Sequence, residues 1–190
     1  MYKIIKASII LTLFTGMIIS CKELNKKDGD SFIPFLKQNN KYIYVNRDNQ
    51  PVIKEEFDKA SLFKNGVAIV SINNASYFIN KEGTNIFNTT FEKIKNFKNG
   101  IARVKINGKW GCINKEGQIV VSPQWDEINE YGDNLAAVKK DKKWGYVDPY
   151  GKIIIAPQFD DADVFKNGLA EVSINEASFF IQKDGKAFKE

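Results

Sequence analysis

The residues best equipped for chemistry in this chain are two cysteines, a series of carboxylates and a pair of tryptophans. Cys112 lies in "INGKWGCINKEGQIVVSPQWDE", beside a Trp-Gly pair. A nucleophilic thiol needs a base to activate it, and the 190 residues include no histidine. That removes Ser-His-Asp and Cys-His catalysis and most zinc, copper and haem sites. Cys21 is the only other thiol, so a cysteine metal cluster cannot form. No G-x-G-x-x-G or G-K-[ST] loop is present to cradle phosphate. No cofactor, no metal and no catalysis are expected.

Carboxylates are the remaining candidates. Asp58, Glu92, Asp126 and Asp160 each follow an aromatic residue at a constant interval. A glycosidase would need two of them at a set distance in a cleft. Asp160, Asp161 and Asp163 cluster in "FDDADVF" but lack the acidic spacing of a calcium loop. A strict period argues instead for one structural task per unit, such as capping the turn after a strand.

The elements that position these residues repeat. Phe63, Phe97, Tyr131 and Phe165 are 34 residues apart and open the phrases "FKNGVAIV", "FKNGIARV", "YGDNLAAV" and "FKNGLAEV". Gly83, Gly117, Gly151 and Gly185 keep that spacing, as do Phe57, Phe91, Trp125 and Phe159. Such a period marks a repeat architecture, with units near 32–62, 63–96, 97–130, 131–164 and 165–190. Two-helix repeats share the length, but the apolar spacing here is two. Ala68, Ala102, Ala136 and Ala170 precede Val70, Val104, Val138 and Val172, and the residue between is Ile69, Arg103, Ala137 or Glu171. That alternation predicts a strand with one buried and one wet face.

A second strand ends in "FINKEG", "CINKEG", "YVDPYG" or "FIQKDG". Asn or Asp first, Pro149 second and glycine fourth suit a type I turn followed by a left-handed residue. A third strand follows in "QIVVSPQWDE" and "KIIIAPQFDD", where Pro123 and Pro157 are expected to close it, because proline cannot donate to a ladder. The first unit carries Asn49 in the glycine slot, and asparagine tolerates that conformation best after glycine. The last unit stops before a full third strand, and atypical end units serve as caps in repeat folds. The expected architecture is all-β: an array of three-stranded antiparallel meanders, open rather than closed into a propeller.

The repeat decides what Cys112 is for. Its equivalents are Phe78, Tyr146 and Phe180, so it fills a core slot that other units give to aromatics. Trp110-Gly111 and Trp144-Gly145 align with Ser76-Tyr77 and Ser178-Phe179. The bulk moves by one residue, so the large ring changes faces of the strand. That is a packing swap; the alternative is that Trp110 and Trp144 form an aromatic platform for a sugar or peptide.

"KWGCINKEGQIVVSPQWDEI" and "KWGYVDPYGKIIIAPQFDDA" resemble the WG (KWG) repeats of bacterial proteins. Residues 97–164 match the pattern fully, 63–96 and 165–190 without Trp-Gly, and 40–62 weakly. The resemblance implies β-rich repeats, common in exported proteins, with no general activity.

The N-terminus differs from the rest. Lys3 and Lys6 precede an apolar run from Ile9 to Ile19, too short to span a bilayer comfortably and laid out as a secretory signal. Its end, Ile18-Ile19-Ser20-Cys21, resembles the bacterial lipobox, which implies cleavage after residue 20 and lipidation of Cys21. Residues 21–31 are then a polar tether, reaching at most about 33 Å over ten residues. Loss of two lysines lowers the net charge from +5 to +3, which is no nucleic-acid footprint.

These features predict an exported protein, lipid-anchored on the cell or outer membrane, that binds another envelope protein, a peptide or a glycan. A structural accessory, an immunity-like inhibitor and, remotely, a carboxylate hydrolase are the alternatives. Specificity is expected at varying outward positions, among them Arg103 and Glu171, with Trp110 and Trp144.

Overall fold

Short β-branched and aromatic runs, punctuated by Asn-Gly and Asn-x-x-Gly, can form little but antiparallel hairpins. The computed structural model describes residues 32–189 and builds them into five antiparallel sheets. The first holds β1 (Ile33–Leu36), β2 (Tyr42–Val45) and β3 (Pro51–Phe57), and the second β4 (Lys59–Ala60), β5 (Ala68–Ile72) and β6 (Ala75–Ile79). The third holds β7 (Lys93–Ile94), β8 (Ile101–Ile106), β9 (Lys109–Asn114) and β10 (Ile119–Trp125). The fourth runs β11 (Glu127–Gly132), β12 (Leu135–Lys140), β13 (Lys143–Val147) and β14 (Ile153–Phe159); the fifth runs β15 (Asp161–Ala162), β16 (Leu169–Ile174) and β17 (Ala177–Gln182). Cys21, the signal segment and the tether lie outside the described residues.

Turn chemistry fixes the registers. Between β9 and β10 the Gly117 N–H donates to the Asn114 carbonyl at 3.0 Å, and the Asn114 Oδ1 accepts the Gln118 N–H at 2.8 Å. Gly117 has φ +79°. Asn49 takes the same role with φ 58°, as its place in the repeat predicts. The β8–β9 and β12–β13 hairpins turn on Asn107-Gly108 and Asp141-Lys142, all at positive φ, the two-residue geometry that matches strand twist.

The sheets stack face to face, and each interface is a hydrophobic layer. The first layer joins Tyr44, Ile53 and Phe57 to Ala68, Val70 and Ile79. The second joins Phe78 and Phe91 to Ala102, Val104 and Ile113. The third joins Cys112, Val121 and Trp125 to Ile128, Ala136, Val138 and Val147. The fourth joins Tyr146, Ile155 and Phe159 to Phe165, Val172 and Ile181. No layer among the described residues joins the fifth sheet to the first, so the array is open, as expected.

Three details differ from the sequence expectation. A two-residue strand precedes three of the "FKNG"-type phrases (β4, β7 and β15) and a longer one, β11, runs into the fourth, so the complete units are four-stranded and begin before the phrase. Pro123 and Pro157 do not close the third strand; they lie inside β10 and β14. There the ladder slips: between Trp110↔Trp125 and Cys112↔Val121 three residues oppose one. The bulge removes the need for a donor at the proline. In the second sheet this strand is reduced to isolated bridges, Ser76↔Phe91 and Ile79↔Asn85.

The bulge also explains the glycine of Trp-Gly. A Cβ on Gly111 would lie 2.6 Å from the Val121 carbonyl oxygen and 2.9 Å from Pro123 N. Gly145 meets Ile155 O and Pro157 N in the same way, at 2.4 and 2.6 Å. Where the glycine is replaced, by Ile43 or Tyr77, the proline is replaced too, by Glu55 or Thr89.

Candidate functional site

The periodic carboxylates are occupied. Asp58 Oδ2 accepts the Asn73 N–H at 2.7 Å, Asp126 that of Asp141 at 3.1 Å and Asp160 that of Asn175 at 2.8 Å. Glu92 accepts the Gly108 N–H at 2.9 Å. Their role is structural and occurs once per unit, but they cap the tight hairpin of the next sheet rather than their own turn. Lys41, Lys109 and Lys143 pair with Asp58, Asp126 and Asp160. Each Lys–Asp–backbone chain therefore staples one sheet to its successor.

These contacts hold the three aspartates below their ordinary value of 3.8, the lysine hydrogen bond being the largest cause in each case. A depressed carboxyl pKa adds stability that is complete above the unfolded value and is lost as pH falls through the folded one. Urea midpoints should therefore drop below about pH 4. Replacing Asp126 and Asp160 by asparagine should flatten that drop, and an unchanged profile would show that the staples contribute nothing.

Cys112 is fully buried, with its thiol pushed up to about 11 by burial. It packs where Tyr44, Phe78 and Tyr146 stand in other sheets, and its neighbour Tyr131 occupies the slot of Phe63, Phe97 and Phe165. The matching ring pairs are 5.1, 4.9 and 4.7 Å apart. Cys112→Ala should cost about 1–2 kcal/mol in chemical denaturation and leave ligand binding intact; lost binding with normal folding would contradict a packing role.

The sequence candidates do not form one site. Trp110 packs into the third layer and Trp144 into the fourth, each facing the following sheet, whereas Tyr77 and Phe179 face the preceding one. The ring does change faces. Trp144 is 6% exposed, with Lys139 Nζ 5.2 Å from its ring centroid, so it presents no platform. Arg103 is not a free outward group: its Nη1 donates to the Ile128 carbonyl at 2.8 Å across the third layer. Ala137, at an equivalent position, is fully buried. The face expected to be wet is therefore covered by the next sheet, and only Glu171, on the fifth sheet, is exposed.

One layer is incomplete. The first and fourth layers are bridged by tyrosine hydroxyls, Tyr44 to Ser61 O and Tyr146 to Asp163 O, both at 2.8 Å. The third is bridged by Arg103. The second has Phe78, Ile69 and Ser76 in the corresponding slots. Its aromatic bulk, Phe78, Phe87 and Phe97, gathers in one group. Elsewhere between the second and third sheets a cleft of about 750 Å³ opens, lined by Ser61, Ile69, Ser71, Ser76, Ile94 and Lys95 among others. That volume lies within the range of ligand sites. None of these residues stands out by type; the available signal was Ser76 in a slot that two units give to tryptophan.

Four consecutive segments, 44–74, 78–110, 110–144 and 144–176, match the family model described as WG containing repeat. The match covers most of the chain, which therefore belongs to the WG-repeat family. No curated protein matches it. Among solved structures, BamB from Moraxella catarrhalis is 6% identical over 85% of this chain and 57% of its own, with a TM-score of 0.47. Kluyveromyces lactis Hsv2 is 10% identical over 82% and 60%, with a TM-score of 0.49. A protein of unknown function from Bacteroides caccae is 15% identical over 85% and 70%, with a TM-score of 0.36. The chain spans less than two thirds of the length of the first two.

Proposed function

We propose that this WG-repeat chain is exported, anchored by lipid at Cys21 to a bacterial membrane, and acts by binding a polypeptide of the cell envelope. The cleft between the second and third sheets carries the binding reading, because it is the layer in which the repeat gives up both its tryptophan and its polar bridge. The fate of the reactive groups supports binding over catalysis: the thiol is buried and the periodic carboxylates hold backbone amides. The lipobox-like end of the apolar run supports the anchor.

Immobilised full-length protein in detergent, offered an envelope extract and purified cell-wall glycan in parallel, should retain one polypeptide in near-stoichiometric yield. Retention of glycan alone, or of nothing, would overturn the reading and favour an accessory that needs only to be placed at the membrane. Cys21→Ser should move the protein to the soluble fraction after a salt wash; continued pelleting would remove the lipid anchor.

A further inference from the structure

We infer that the cleft between the second and third sheets receives an aromatic side chain carried on an extended, acidic segment of the partner polypeptide. The inference rests on the binding role above and specifies its chemistry.

The first observation is the shape of what is missing. In the third layer the slot holds Trp110, packed against the buried cluster that includes Ile128 and Val138. In the fourth it holds Trp144, a member of the buried cluster that includes Ala162 and Val172. In the second layer the slot is Ser76, and the neighbouring Arg103 and Lys105 positions are Ile69 and Ser71. Three large side chains are thus replaced by two serines and an isoleucine. Ile94 lines the same cleft at the position that Ile128 holds in the third layer, so the apolar residue of the layer that packs with the tryptophan elsewhere is retained. The space is one that this fold fills with an indole.

The second observation is the mouth of the cleft. It is bordered by β4 and β7, each the outermost strand of its sheet. Their outer edges have no ladder partner in the sheet. An unpaired edge is a template for an extended main chain, which sends alternate side chains into the neighbouring pocket. This favours a polypeptide over a free small molecule.

The third observation is charge. The two acids at the cleft are engaged: Asp58 by Lys41 and the Asn73 N–H, and Glu92 by the Gly108 N–H. Lys59, Lys93 and Lys95 line the same opening and belong to none of the ion pairs among the described residues. The rim therefore presents three amines outside any ion pair, Lys59 lying in the field of Asp58 and Lys95 in that of Glu130, so that the surplus of positive charge is retained. Acidic residues flanking the aromatic anchor would meet them, adding to the association rate and to selectivity.

The test uses the full-length protein in detergent and three fluorescent peptides. One has a central tryptophan flanked by aspartates and glutamates, one an alanine at the centre, and one lysines in the flanks. Anisotropy should show binding of the first, with each of the others weaker by about tenfold or more. Ser76→Trp rebuilds the sister layer; it should abolish binding and raise the melting temperature, whereas Ser76→Ala should bind like the wild type. Should Ser76→Trp fold poorly, Ile69→Arg, which recreates the Arg103 bridge, fills the cleft from the adjacent strand and should also abolish binding. Equal affinity for the tryptophan and alanine peptides would overturn the inference, as would no binding of any peptide or full binding by the filled variants. An envelope polypeptide retained equally by wild type and Ser76→Trp would overturn it too, while leaving a binding role at another surface.

Discussion

Gly145→Ala is expected to cost about 3 kcal/mol of stability, read as a shift in the urea midpoint with secondary structure followed by circular dichroism. The cause is steric. Gly145 is not at positive φ, and its added Cβ would sit 2.4 Å from Ile155 O, 2.6 Å from Pro157 N and 2.7 Å from Ala156 C. All three are backbone atoms of the bulged strand, which cannot move aside as a side chain would. Gly66→Ala and Gly100→Ala are the controls: φ is +82° at both, but nothing lies within 4 Å, so each should cost only about 1 kcal/mol. The first sheet suggests how the penalty is relieved. There Ile43 occupies the glycine slot and Glu55 the proline slot, with the same slip of three residues against one. In a Pro157→Glu background Gly145→Ala should therefore cost less, with a coupling of about 1 kcal/mol. Additive costs would mean that the glycine and the proline are independent.

Trp125→Ala should be the most damaging single truncation, at about 4 kcal/mol. The side chain is 1% exposed and is the largest fully buried one in the array. Trp125→Phe should behave quite differently. The indole Nε1 is buried and has no acceptor, and an orphaned buried donor costs about 1–3 kcal/mol. Phenylalanine removes that donor and installs the ring used at Phe57, Phe91 and Phe159. The gain offsets the lost volume, so the variant should fall within about 1 kcal/mol of wild type. A loss as large as that of Trp125→Ala would mean that indole volume, not the unpaired N–H, dominates the site.

Much of this architecture was legible because its signals are local and recur. One period placed Asn49 in a left-handed turn, Cys112 in an aromatic slot and the tryptophan on the face opposite Tyr77. What stayed hidden depends on neighbours in space. Two-residue strands such as β7 carry no alternation of their own, so the fourth strand of the unit left no trace. Pro123 read as a strand end because a bulge cannot be recognised without its partner strand. Arg103 read as an exposed position because charge at one site of a strand says nothing about a carbonyl in the next sheet. Asp126 was correctly given a structural task but the wrong hairpin, since its acceptor role depends on how two units stack. The cleft was present only as an exception, Ser76, and its meaning required the layers on either side.

The cross-layer bonds are also short in sequence. Asp58 reaches 15 residues ahead, Tyr44 reaches 17, and the pair Lys98–Glu130 spans 32. No named bond must wait for the two ends of the array to meet, so each sheet can order as soon as its successor is available. The same arrangement gives the array a mechanical character. Drawn out by its ends, it should yield one sheet at a time, each release adding about 120 Å of chain, and it should shorten again in the same steps when the load is removed.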